Sequence, residues 1–494
     1  MNLSRLASGV PDATVESGAD YDVTEVTYDS RRAGPGHLFV AVPGITVDGH
    51  DYAADAAARG AAVAVSKRVT LPPGAAVLRM PDTRAGLAEL AAELLGRPAR
   101  DLKVVGVTGT DGKTTVTHMA AHVLEAAGRR AGSMSTVAFQ MGGEEHANTS
   151  GQTTTEAPEV QAWLRRMVDA HVDYAVIETT SHALVQGRVG ACEFDVAAFT
   201  NVGRDHLDYH ATWEEYLAAK ARLIDPCAAS VDKGVPKTAV LNRDDQSHAP
   251  LSERSIARTW SYSIGARGDL RAEDTALHAG GSDFRLVSPA GEVDVHLPVP
   301  ARFNIHNALC AAGICLALGV SLNEVAAGLA GFRGVRGRLE PVDLGQPFKV
   351  FIDFAHSAGS LRSALSELRP FTTGRLIAVF GSTGRSDHDR PGMGAAAARN
   401  SDFFVITSDD PVNEDPAEIA RDVASGITNR APGSDYEIIL DRRTAIRRAI
   451  SLAGPGDVVL LAGKGHERSM ITRSGREPWN ERDEAEAAIR AVQG

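Results

Sequence analysis

The sequence is poor in cysteine, carries no excess of positive charge and has no long apolar run. Four cysteines occur among 494 residues, and their positions form neither a C-x-x-C pair nor a histidine spacing suited to zinc. The first twenty residues lack the apolar core of a signal peptide, and no stretch reaches the roughly 18 apolar residues of a membrane helix. We therefore expect a cytoplasmic protein with reduced cysteines.

Acidic residues outnumber basic residues, 63 to 51, which gives a formal net charge of −12. Proteins that bind nucleic acid or a membrane surface usually present a basic face, so neither partner is expected. Any anionic substrate must then be met by local Arg and Lys side chains. Hydrophobic residues make up 43% of the chain, and its length predicts two to four domains, each with its own core.

A segment rich in glycine and threonine follows an apolar strand pattern at 103–107 and leads into a helical pattern. It reads T-G-T-D-G-K-T-T, the order of a phosphate-binding loop: backbone N–H groups surround phosphate oxygens, Lys113 adds a charge, and the Thr114 hydroxyl can hold Mg²⁺. Val107 stands where a strict P-loop has glycine, and the alternative is a strand-to-helix turn with a surface lysine. The predicted nucleotide-binding residues of this loop are Gly109, Thr110, Asp111, Gly112, Lys113, Thr114 and Thr115.

Two further polar segments follow apolar strand patterns. Glu178 ends the pattern at 174–178, where a carboxylate can either bind Mg²⁺ near the phosphate loop or cap the next turn. The loop at 200–210 holds two histidines and two aspartates, including His206, and this order favours a metal ligand over an ordinary polar loop. Lys220 lies in an amphipathic helical pattern at 213–224, where a solvated lysine is the simpler interpretation.

Apolar strand patterns alternate with helical stretches of ten to fifteen residues, which predicts α/β domains with mostly parallel sheets. The expected domains are residues 1–98, 99–335 and 336–494, with a linker at 97–101 and a hinge in the Gly/Arg-rich segment 331–338. The predicted strands lie at 38–42, 61–65, 103–107, 174–178, 196–200, 238–242, 349–353, 376–380, 403–407 and 458–461.

Several motifs together carry a resemblance to a known family. The segment from Asp29 to His50 contains D-S-R, P-G, L-F-V-A and D-G-H in order, and the chain continues with Q-T-T-T-E-A-P, R-F-N-I-H-N and G-K-G-H-E. With the phosphate loop, these motifs resemble the MurE-type muramyl ligases over nearly the whole chain. The resemblance implies a small N-terminal α/β domain that binds a UDP-sugar, a central P-loop ATPase domain with a parallel sheet, and a Rossmann-like C-terminal α/β domain.

The resemblance also implies residues that bind the sugar nucleotide and its dipeptide. Thr155 replaces the proline usual in the loop at 152–158, and Ala183 replaces a glycine, which puts a positive φ at that position in doubt. The implied binding residues are Tyr28, Ser30, Thr153, Thr154, Thr180, Ser181, Gln186 and Arg188, together with the turn at 45–47.

On the ATP side, the resemblance implies that Lys220 is carbamylated and becomes a carboxylate-like ligand of Mg²⁺. Thr114, Glu178 and His206 are the other implied metal ligands, and Lys113, His206 and Lys220 are the implied catalytic residues. Further ATP-binding residues implied by the matching motifs are Asn304 with its neighbour Asn307, Arg338 and Asp353.

The amino-acid site is implied by matches in the C-terminal third. Family members that add meso-diaminopimelate carry D-N-P-R, whose arginine pairs with the distal carboxylate of that amino acid. Val412 stands in place of this arginine, which predicts L-lysine or another residue that is not diaminopimelate. The implied amino-acid-binding residues are Arg390, Asp409, Asp410, Pro411, Val412, Gly463 and Glu467.

The activity implied by the resemblance is an ATP-dependent amide ligation. It adds the third amino acid to UDP-MurNAc-L-Ala-D-Glu through an acyl phosphate, in peptidoglycan precursor synthesis, with ATP and Mg²⁺ as cofactors and small molecules as partners of a monomer. A paralogue of the same superfamily that ligates another acceptor, in folate or natural-product synthesis, is an alternative. Such a paralogue should lack the segment from Asp29 to His50, but the changes at 155, 183 and 412 keep the natural-product version open. An inactive homologue is a second alternative, although the metal-ligand residues and Lys113 are all present.

Overall fold

The computed structural model describes residues 1–44, 47–148, 150–203, 209–265, 267–278, 280–384 and 389–493. The chain divides into two compact units. One comprises Met1–Thr275, Asp283–His296 and Ile305–Phe332, and the other comprises Ala276–Ser282, Leu297–Asn304 and Arg333–Gly494.

The first unit begins with a small α/β layer structure. Its elements are α1 (Leu3–Ser8), β1 (Thr14–Ser17), β2 (Glu25–Thr27), β3 (His37–Val40), α2 (Ala53–Ala58), β4 (Ala62–Val65), β5 (Val77–Arg79) and α3 (Thr83–Leu94). The sheet order is β1-β5-β4-β3-β2, with β2 to β5 parallel and β1 antiparallel to β5. Strand β4 is buried along its whole length, as the apolar run Ala-Val-Ala-Val predicts for a parallel strand covered on both faces.

A large sheet follows, and its centre is parallel. Its elements are β6 (Lys103–Thr108), α4 (Lys113–Ala126), β7 (Ala131–Met134), β8 (Ala138–Met141), β9 (Glu144–Ala147), α5 (Ala157–Asp169), β10 (Tyr174–Glu178), α6 (Ser181–Val185), β11 (Val196–Phe199), α7 (Trp213–Ala221), α8 (Ile224–Ala229), β12 (Thr238–Asn242), α9 (His248–Ser252), β13 (Arg258–Ile264), β14 (Leu270–His278), β15 (Gly281–Ser288), β16 (Gly291–Leu297), α10 (Arg302–Ala317) and α11 (Leu322–Gly331). The strand order is β16-β15-β14-β13-β12-β11-β6-β10-β7-β8-β9.

Strand β6 is the strand that positions the candidate site. It pairs in parallel with β10 on one side and with β11 on the other. The carboxyl ends of these three strands therefore meet at one edge of the sheet, where ligands bind in open α/β folds. The phosphate loop, Glu178 and the segment after β11 follow these three strand ends.

The second unit contains a six-stranded sheet with apolar clusters on both faces. Its elements are β17 (Glu340–Pro341), β18 (Lys349–Asp353), α12 (Ala358–Leu368), β19 (Leu376–Phe380), α13 (Arg390–Asn400), β20 (Phe403–Ile406), α14 (Pro416–Ser425), β21 (Tyr436–Ile438), α15 (Arg442–Leu452), β22 (Val458–Ala462), β23 (Ser469–Thr472), β24 (Gly475–Pro478) and α16 (Glu481–Gln493). The order is β17-β18-β22-β19-β20-β21, with only β17 antiparallel, and β23 and β24 form a separate hairpin.

The α/β class and the predicted strands are confirmed to within one or two residues at their ends. The sequence patterns did not predict several other strands, among them β8, β9 and β13 to β16. These strands contain exposed or half-buried residues, which carry less apolar signal than a central parallel strand. The four cysteines are buried and unpaired, and burial raises the pKa of Cys192 to about 12. Across the described part of the chain, no helix has the length and apolar character needed to cross a membrane.

Candidate active site

The loop between β6 and α4 has a backbone that two glycines make possible. Gly109 has φ 152° and Gly112, which precedes the first turn of α4, has φ 80°. A Cβ at Gly109 would lie 1.8 Å from Thr200 Oγ1, and one at Gly112 would lie 2.4 Å from Asn307 Oδ1. The loop is held from the side because the Thr110 and Asp111 amides donate to Asn201, over 2.8 and 3.0 Å.

Helix α4 presents its N-terminus directly after this loop. The first N–H groups of a helix have no partner within the helix and, with the helix dipole, favour an anion such as a phosphate. The Lys113 ammonium donates to the Thr110 carbonyl over 2.8 Å, so its charge lies against the loop. The seven predicted loop residues therefore form one short cradle.

Glu178 stands at the end of β10 and is almost fully buried. Its Oε1 accepts the Thr114 hydroxyl over 3.0 Å, and its Oε2 accepts both the amide and the hydroxyl of Thr136, over 2.8 and 3.0 Å. Thr154 is linked to the same strand end, since its hydroxyl donates to the Glu178 carbonyl over 2.8 Å. The carboxylate is thus held by hydroxyl and amide groups, and no described cation lies within ion-pair distance of it.

This set of oxygen atoms fits a magnesium ion. Mg²⁺ prefers carboxylate, hydroxyl and water oxygens, and the Glu178 carboxylate and Thr114 hydroxyl lie together at the start of α4. Thr136 was not predicted, because it sits in the turn after β7 without any motif around it. Among the predicted metal ligands, His206 lies outside the described residues, as do Asp205 and Asp208 of the same loop.

Lys220 is buried, with 1% of its surface exposed. Its Nζ donates to the Gly109 carbonyl over 2.6 Å and lies 4.3 Å from the centre of the Tyr216 ring. The interpretation of Lys220 as a solvated lysine is therefore wrong: α7 turns this residue toward the phosphate loop. A buried lysine amine at this position fits the carbamylation that the resemblance implies, because a carbamate would add an anionic oxygen ligand beside Mg²⁺.

The residues predicted for the dipeptide converge on Arg188. Its guanidinium donates to Gln152 Oε1 over 2.9 Å, to the Thr154 carbonyl over 3.0 Å and to Gln186 Oε1 over 2.6 Å. Glu156 lies 3.1 Å from the same guanidinium and also accepts from Arg84 of α3 over 3.0 Å. Arg84 and Glu156 were not predicted as site residues, because their contact joins segments more than seventy positions apart.

Hydroxyl groups line the same region. Thr153 accepts from the Thr136 hydroxyl over 3.1 Å, and Thr180 caps α6 by accepting from the Ala183 amide. The buried hydroxyl of Ser181 has no hydrogen-bond partner among the described residues. Ala183 lies inside helix α6 and is not among the residues with positive φ, so alanine is compatible with the backbone there.

Tyr28 and Ser30 lie in the first sheet region. The Tyr28 hydroxyl donates to Glu159 of α5 over 3.4 Å, and burial together with the charges of Glu159 and Glu156 raises the pKa of Tyr28 to about 12. The Ser30 carbonyl accepts from the Arg59 guanidinium. Residues 45 and 46 of the predicted turn lie outside the described residues.

In the second unit, the predicted amino-acid residues surround a buried lysine. Lys464 Nζ lies 2.7 Å from Asp410, 2.6 Å from Glu467 and 3.6 Å from Asp409. Gly463 has φ 113°, and a Cβ there would lie 2.4 Å from Asp409 Oδ2. Burial works against the charge of Lys464, but the three carboxylates outweigh it and raise the pKa of this ammonium. Burial raises the pKa of Glu467.

Arg390 begins helix α13 and is held by acidic neighbours. Its guanidinium donates to Glu414 over 2.9 Å, to Asp422 over 3.0 Å and to the Thr383 carbonyl over 3.0 Å. The hydrogen bond to Glu414 is the main cause of its raised pKa. A substrate carboxylate at Arg390 would therefore have to share or displace these partners.

The three remaining residues of the predicted ATP site also lie in the second unit. Asp353 accepts the Leu339 and Ala355 amides over 2.7 and 2.9 Å, and burial raises its pKa. Arg338 lies with its guanidinium 4.9 Å from the centre of the Phe354 ring. The Asn304 amide donates to the Pro300 carbonyl over 2.6 Å.

A pocket of about 500 Å³ adjoins the D-D-P-V motif. Pro411 lines it, whereas Val412, the residue on which acceptor specificity was predicted, does not. The lining residues are Ser408, Pro411, Glu414, Pro416, Met470, Thr472, Arg473, Ser474 and Glu477. Arg473 and Glu477 were not predicted, because the hairpin that carries them shows no recognisable motif.

Comparisons with known proteins agree with this architecture. Three family models match: Mur ligase family, catalytic domain, at residues 22–94; Mur ligase middle domain at 107–315; and Mur ligase, glutamate ligase domain, at 337–465. The UDP-N-acetylmuramyl-tripeptide synthetase of Roseiflexus sp. (strain RS-1) is 44% identical over 489 residues, which cover 95% of this chain and 94% of that protein.

Two more relatives match along nearly their full length. The UDP-N-acetylmuramoyl-L-alanyl-D-glutamate–2,6-diaminopimelate ligase of Geobacillus thermodenitrificans (strain NG80-2) is 40% identical over 491 residues, 99% of each chain. A solved structure of a UDP-N-acetylmuramoyl-L-alanyl-D-glutamate–2,6-diaminopimelate ligase has a TM-score of 0.70 and 28% identity, and covers 97% of this chain and 98% of that chain.

Because three Mur ligase domain models match along it and its relatives match over nearly their full length, the chain belongs to the Mur ligase family. Within the family it is of the MurE type, an ATP-dependent amide ligase, as its full-length relatives are. ATP and Mg²⁺ are the cofactors of this class of ligase.

Proposed function

We propose that this ligase adds the third amino acid to UDP-MurNAc-L-Ala-D-Glu in peptidoglycan precursor synthesis. The observation that carries the proposal is the buried Glu178 carboxylate hydrogen-bonded to Thr114 at the start of α4. It joins a candidate metal ligand to a phosphate cradle, which is the arrangement that phosphoryl transfer from ATP requires. The full-length relatives whose names carry this reaction supply the substrate.

The proposed reaction has two steps. A carboxylate oxygen of the D-glutamyl group attacks the γ-phosphorus of ATP, the bond to the β-phosphate oxygen breaks, and ADP leaves. The amine of the incoming amino acid then attacks the acyl carbon, phosphate leaves with the former carboxylate oxygen, and the amine loses a proton. Both steps develop negative charge that preorganised cations and N–H groups stabilise.

Particular residues receive roles in this proposal. Lys113 and the first amides of α4 hold the phosphates of ATP, and Thr114, Glu178, His206 and carbamylated Lys220 are the metal ligands. Mg²⁺, when bound there, neutralises charge on the transferring phosphoryl group. Support comes from the burial of Lys220 against Gly109, which directs its amine at the phosphate loop.

Two other groups of residues are proposed to bind the dipeptide and the incoming amino acid. Arg188, ordered by Gln186, Gln152 and Glu156, is proposed to meet the D-glutamyl end of the sugar nucleotide. Asp409, Asp410 and Glu467 around Lys464 are proposed to hold the ammonium of the incoming amino acid before it loses its proton.

The proposal also has to say which amino acid is added. The names of the relatives favour 2,6-diaminopimelate and give no support to L-lysine or to the natural-product alternative. Val412, in place of the family's arginine, is the observation that favours L-lysine as a second candidate. We take 2,6-diaminopimelate as the first.

Three further expectations belong to the proposal. The domains at 1–98, 99–335 and 336–494 are taken to bind the UDP-sugar, ATP and the amino acid, respectively. The enzyme is taken to work in the cytoplasm, where ATP is available, and as a monomer. Small-angle scattering of the purified chain tests the last expectation directly.

The deciding experiment is ATP-dependent phosphate release with UDP-MurNAc-L-Ala-D-Glu and either meso-diaminopimelate, L-lysine or L-ornithine. Turnover with any of the three, with the tripeptide product identified by mass, supports the ligase. Turnover with meso-diaminopimelate alone supports the first acceptor, and turnover with L-lysine alone supports the second. If no phosphate is released with any of the three amino acids while ATP still binds, the proposed substrate is wrong.

A further inference from the structure

We infer that Arg473, in the turn of the β23–β24 hairpin, selects the amino acid by pairing with a carboxylate at the far end of its side chain. This rests on the proposed function. The arginine expected at position 412 is absent, and Arg473 supplies a guanidinium from a different segment. The ligand class is a diamino dicarboxylic acid, whose far end carries both charges.

The pocket beside the D-D-P-V motif has charged side chains in its lining. Its volume of about 500 Å³ is ample for an amino-acid side chain, and its charged lining residues are Glu414, Arg473 and Glu477. Both signs of charge are therefore present. A site that held only an ammonium would have no use for the guanidinium.

Strand β23 connects this pocket to the proposed amino-acid site. The Ile471 amide donates to Asp410 Oδ1 over 2.8 Å, and the Asp410 amide lies 3.3 Å from Met470 Sδ. The Val412 amide donates to the Ile471 carbonyl over 3.0 Å. Strand β23 is thus pinned to the motif, so an amino acid whose ammonium lies at Asp410 can extend its side chain toward the hairpin.

The three charged side chains of the pocket differ in the partners that they already have. Glu414 is already paired with Arg390 over 2.9 Å, and Glu477 accepts the Thr472 and Ser474 hydroxyls, each over 3.1 Å. The Arg473 guanidinium donates to the Asn413 carbonyl over 3.3 Å and makes no ion pair with any described residue. Its planar fork is available for two parallel hydrogen bonds to a carboxylate.

The backbone at position 412 has a positive φ. Val412 has φ 54°, a conformation that a β-branched residue rarely adopts, and its amide is bound to β23. Because Val412 does not line the pocket, its apolar side chain neither offers nor excludes a charge there. The missing arginine therefore does not by itself exclude a second carboxylate on the acceptor.

Hairpin geometry places the opposite charge nearby. Met470 and Glu477 are cross-strand partners, and both line the pocket, so they share a face of the hairpin. Arg473 stands at the turn of the same hairpin. We assign the far carboxylate to Arg473 and the far ammonium to Glu477, which together discriminate against an acceptor with an ammonium alone.

The test measures kcat and KM for meso-diaminopimelate and L-lysine in the wild type, Arg473→Ala and Arg473→Lys. Arg473→Ala is expected to raise the KM for meso-diaminopimelate by about tenfold or more, the usual effect of losing a charge-assisted bidentate contact. Arg473→Lys keeps the charge but loses the fork, so an intermediate rise is expected. The KM values for ATP and for the sugar nucleotide are expected to stay unchanged, which also reports an intact fold.

Arg476→Ala is the matched control. Arg476 lies on the same hairpin and is exposed, but it does not line the pocket, so no KM is expected to change. The inference is overturned if Arg473→Ala leaves the KM for meso-diaminopimelate at the wild-type value, if Arg476→Ala raises it equally, or if the wild type uses L-lysine and refuses meso-diaminopimelate. Failure of the proposed function is distinct, because the wild type would then release no phosphate with any acceptor.

Discussion

The phosphate cradle of the first unit and the acid-lined amino-acid cluster of the second unit are built in opposite ways. The cradle comes from one short segment at the end of β6, helped by uncharged hydroxyl and amide groups around Glu178. The proposed amino-acid cluster is assembled from two loops that are distant in sequence, at 409–410 and 464–467, and it places three carboxylates around Lys464. Backbone geometry therefore dominates the first site, and charge balance dominates the second.

Removing the central charge of the amino-acid cluster is expected to have the largest effect. In Lys464→Met, the buried carboxylates of Asp409 and Asp410 lose their ammonium partner, which lowers the free energy of unfolding by about 3–5 kcal/mol. Differential scanning calorimetry measures the change. The control is Lys349→Met, an exposed lysine in the same unit, and equal losses in the two variants would refute the role of charge balance.

Neutralising Glu178 probes the first site without removing volume. Glu178→Gln is expected to slow ADP formation about 100-fold and to raise the Mg²⁺ concentration needed for half-maximal rate, because a metal-binding carboxylate is lost. Glu214→Gln, on the exposed side of α7, is the control and is expected to keep the wild-type rate. A Glu178→Gln rate within threefold of the wild type would contradict its role at the metal.

Backbone geometry in the cradle can be separated from general glycine strain. Gly112→Ala and Gly128→Ala both place a Cβ at a positive φ, 80° and 71°, but only at residue 112 does the Cβ meet another atom within 4 Å. We expect each to lose about 1–2 kcal/mol of unfolding free energy from strain, measured by urea titration. Only Gly112→Ala is expected to raise the KM for ATP, by about tenfold, since only it displaces Asn307 from the cradle.

If both alanine variants bind ATP like the wild type, the cradle does not depend on close backbone approach. If both lose ATP affinity equally, the effect comes from α4 as a whole, because Gly128 lies just beyond the far end of that helix.

A pH dependence is the smallest effect expected and belongs to the amino-acid cluster. Burial raises the pKa of Glu467 in the folded chain above the value of about 4.3 of the unfolded chain. The folded state therefore holds this proton to higher pH, and the free energy of unfolding falls as pH rises from about 4.3 through the folded pKa. Glu467→Gln is expected to remove that fall in urea titrations between pH 4 and 7.

The control is Glu418→Gln on the exposed side of α14, which is expected to keep the wild-type slope with pH. A wild-type slope that survives in Glu467→Gln would assign the titration to another carboxylate. The same result would weaken the contrast between the two sites, because a raised pKa of Glu467 would then not affect the stability of the cluster.

The segments of the first site could be predicted because they follow strand patterns. Apolar runs predicted β6, β10 and β11, and parallel pairing brings their carboxyl ends to one edge. The helical pattern alone wrongly favoured a solvated Lys220, because helical periodicity shows which residues share a face but not what that face packs against. Thr136 was missed for a related reason: a threonine in a turn has no signal until the fold brings it to Glu178.

The acceptor region could be predicted only in part. The motifs around Asp409 and Glu467 were recognisable, and the structure brings them together at Lys464. The hairpin that carries Arg473 was not predicted, because its two strands have four residues each and only Met470 among them is buried. Acceptor choice was predicted from Val412 alone, which does not line the pocket beside the motif, and that prediction is tested by turnover with the three acceptors.

Local sequence patterns were enough to predict the α/β class, the phosphate loop and the family, because apolar periodicity and short glycine-rich motifs act over a few neighbouring residues. The fold was needed to show that Lys220 is buried against Gly109, that Glu178 is held by Thr114 and Thr136, and that Arg473 rather than Val412 lines the pocket. These contacts join residues tens to more than a hundred positions apart. Their energies depend on burial and on the balance of neighbouring charges, which no local pattern contains.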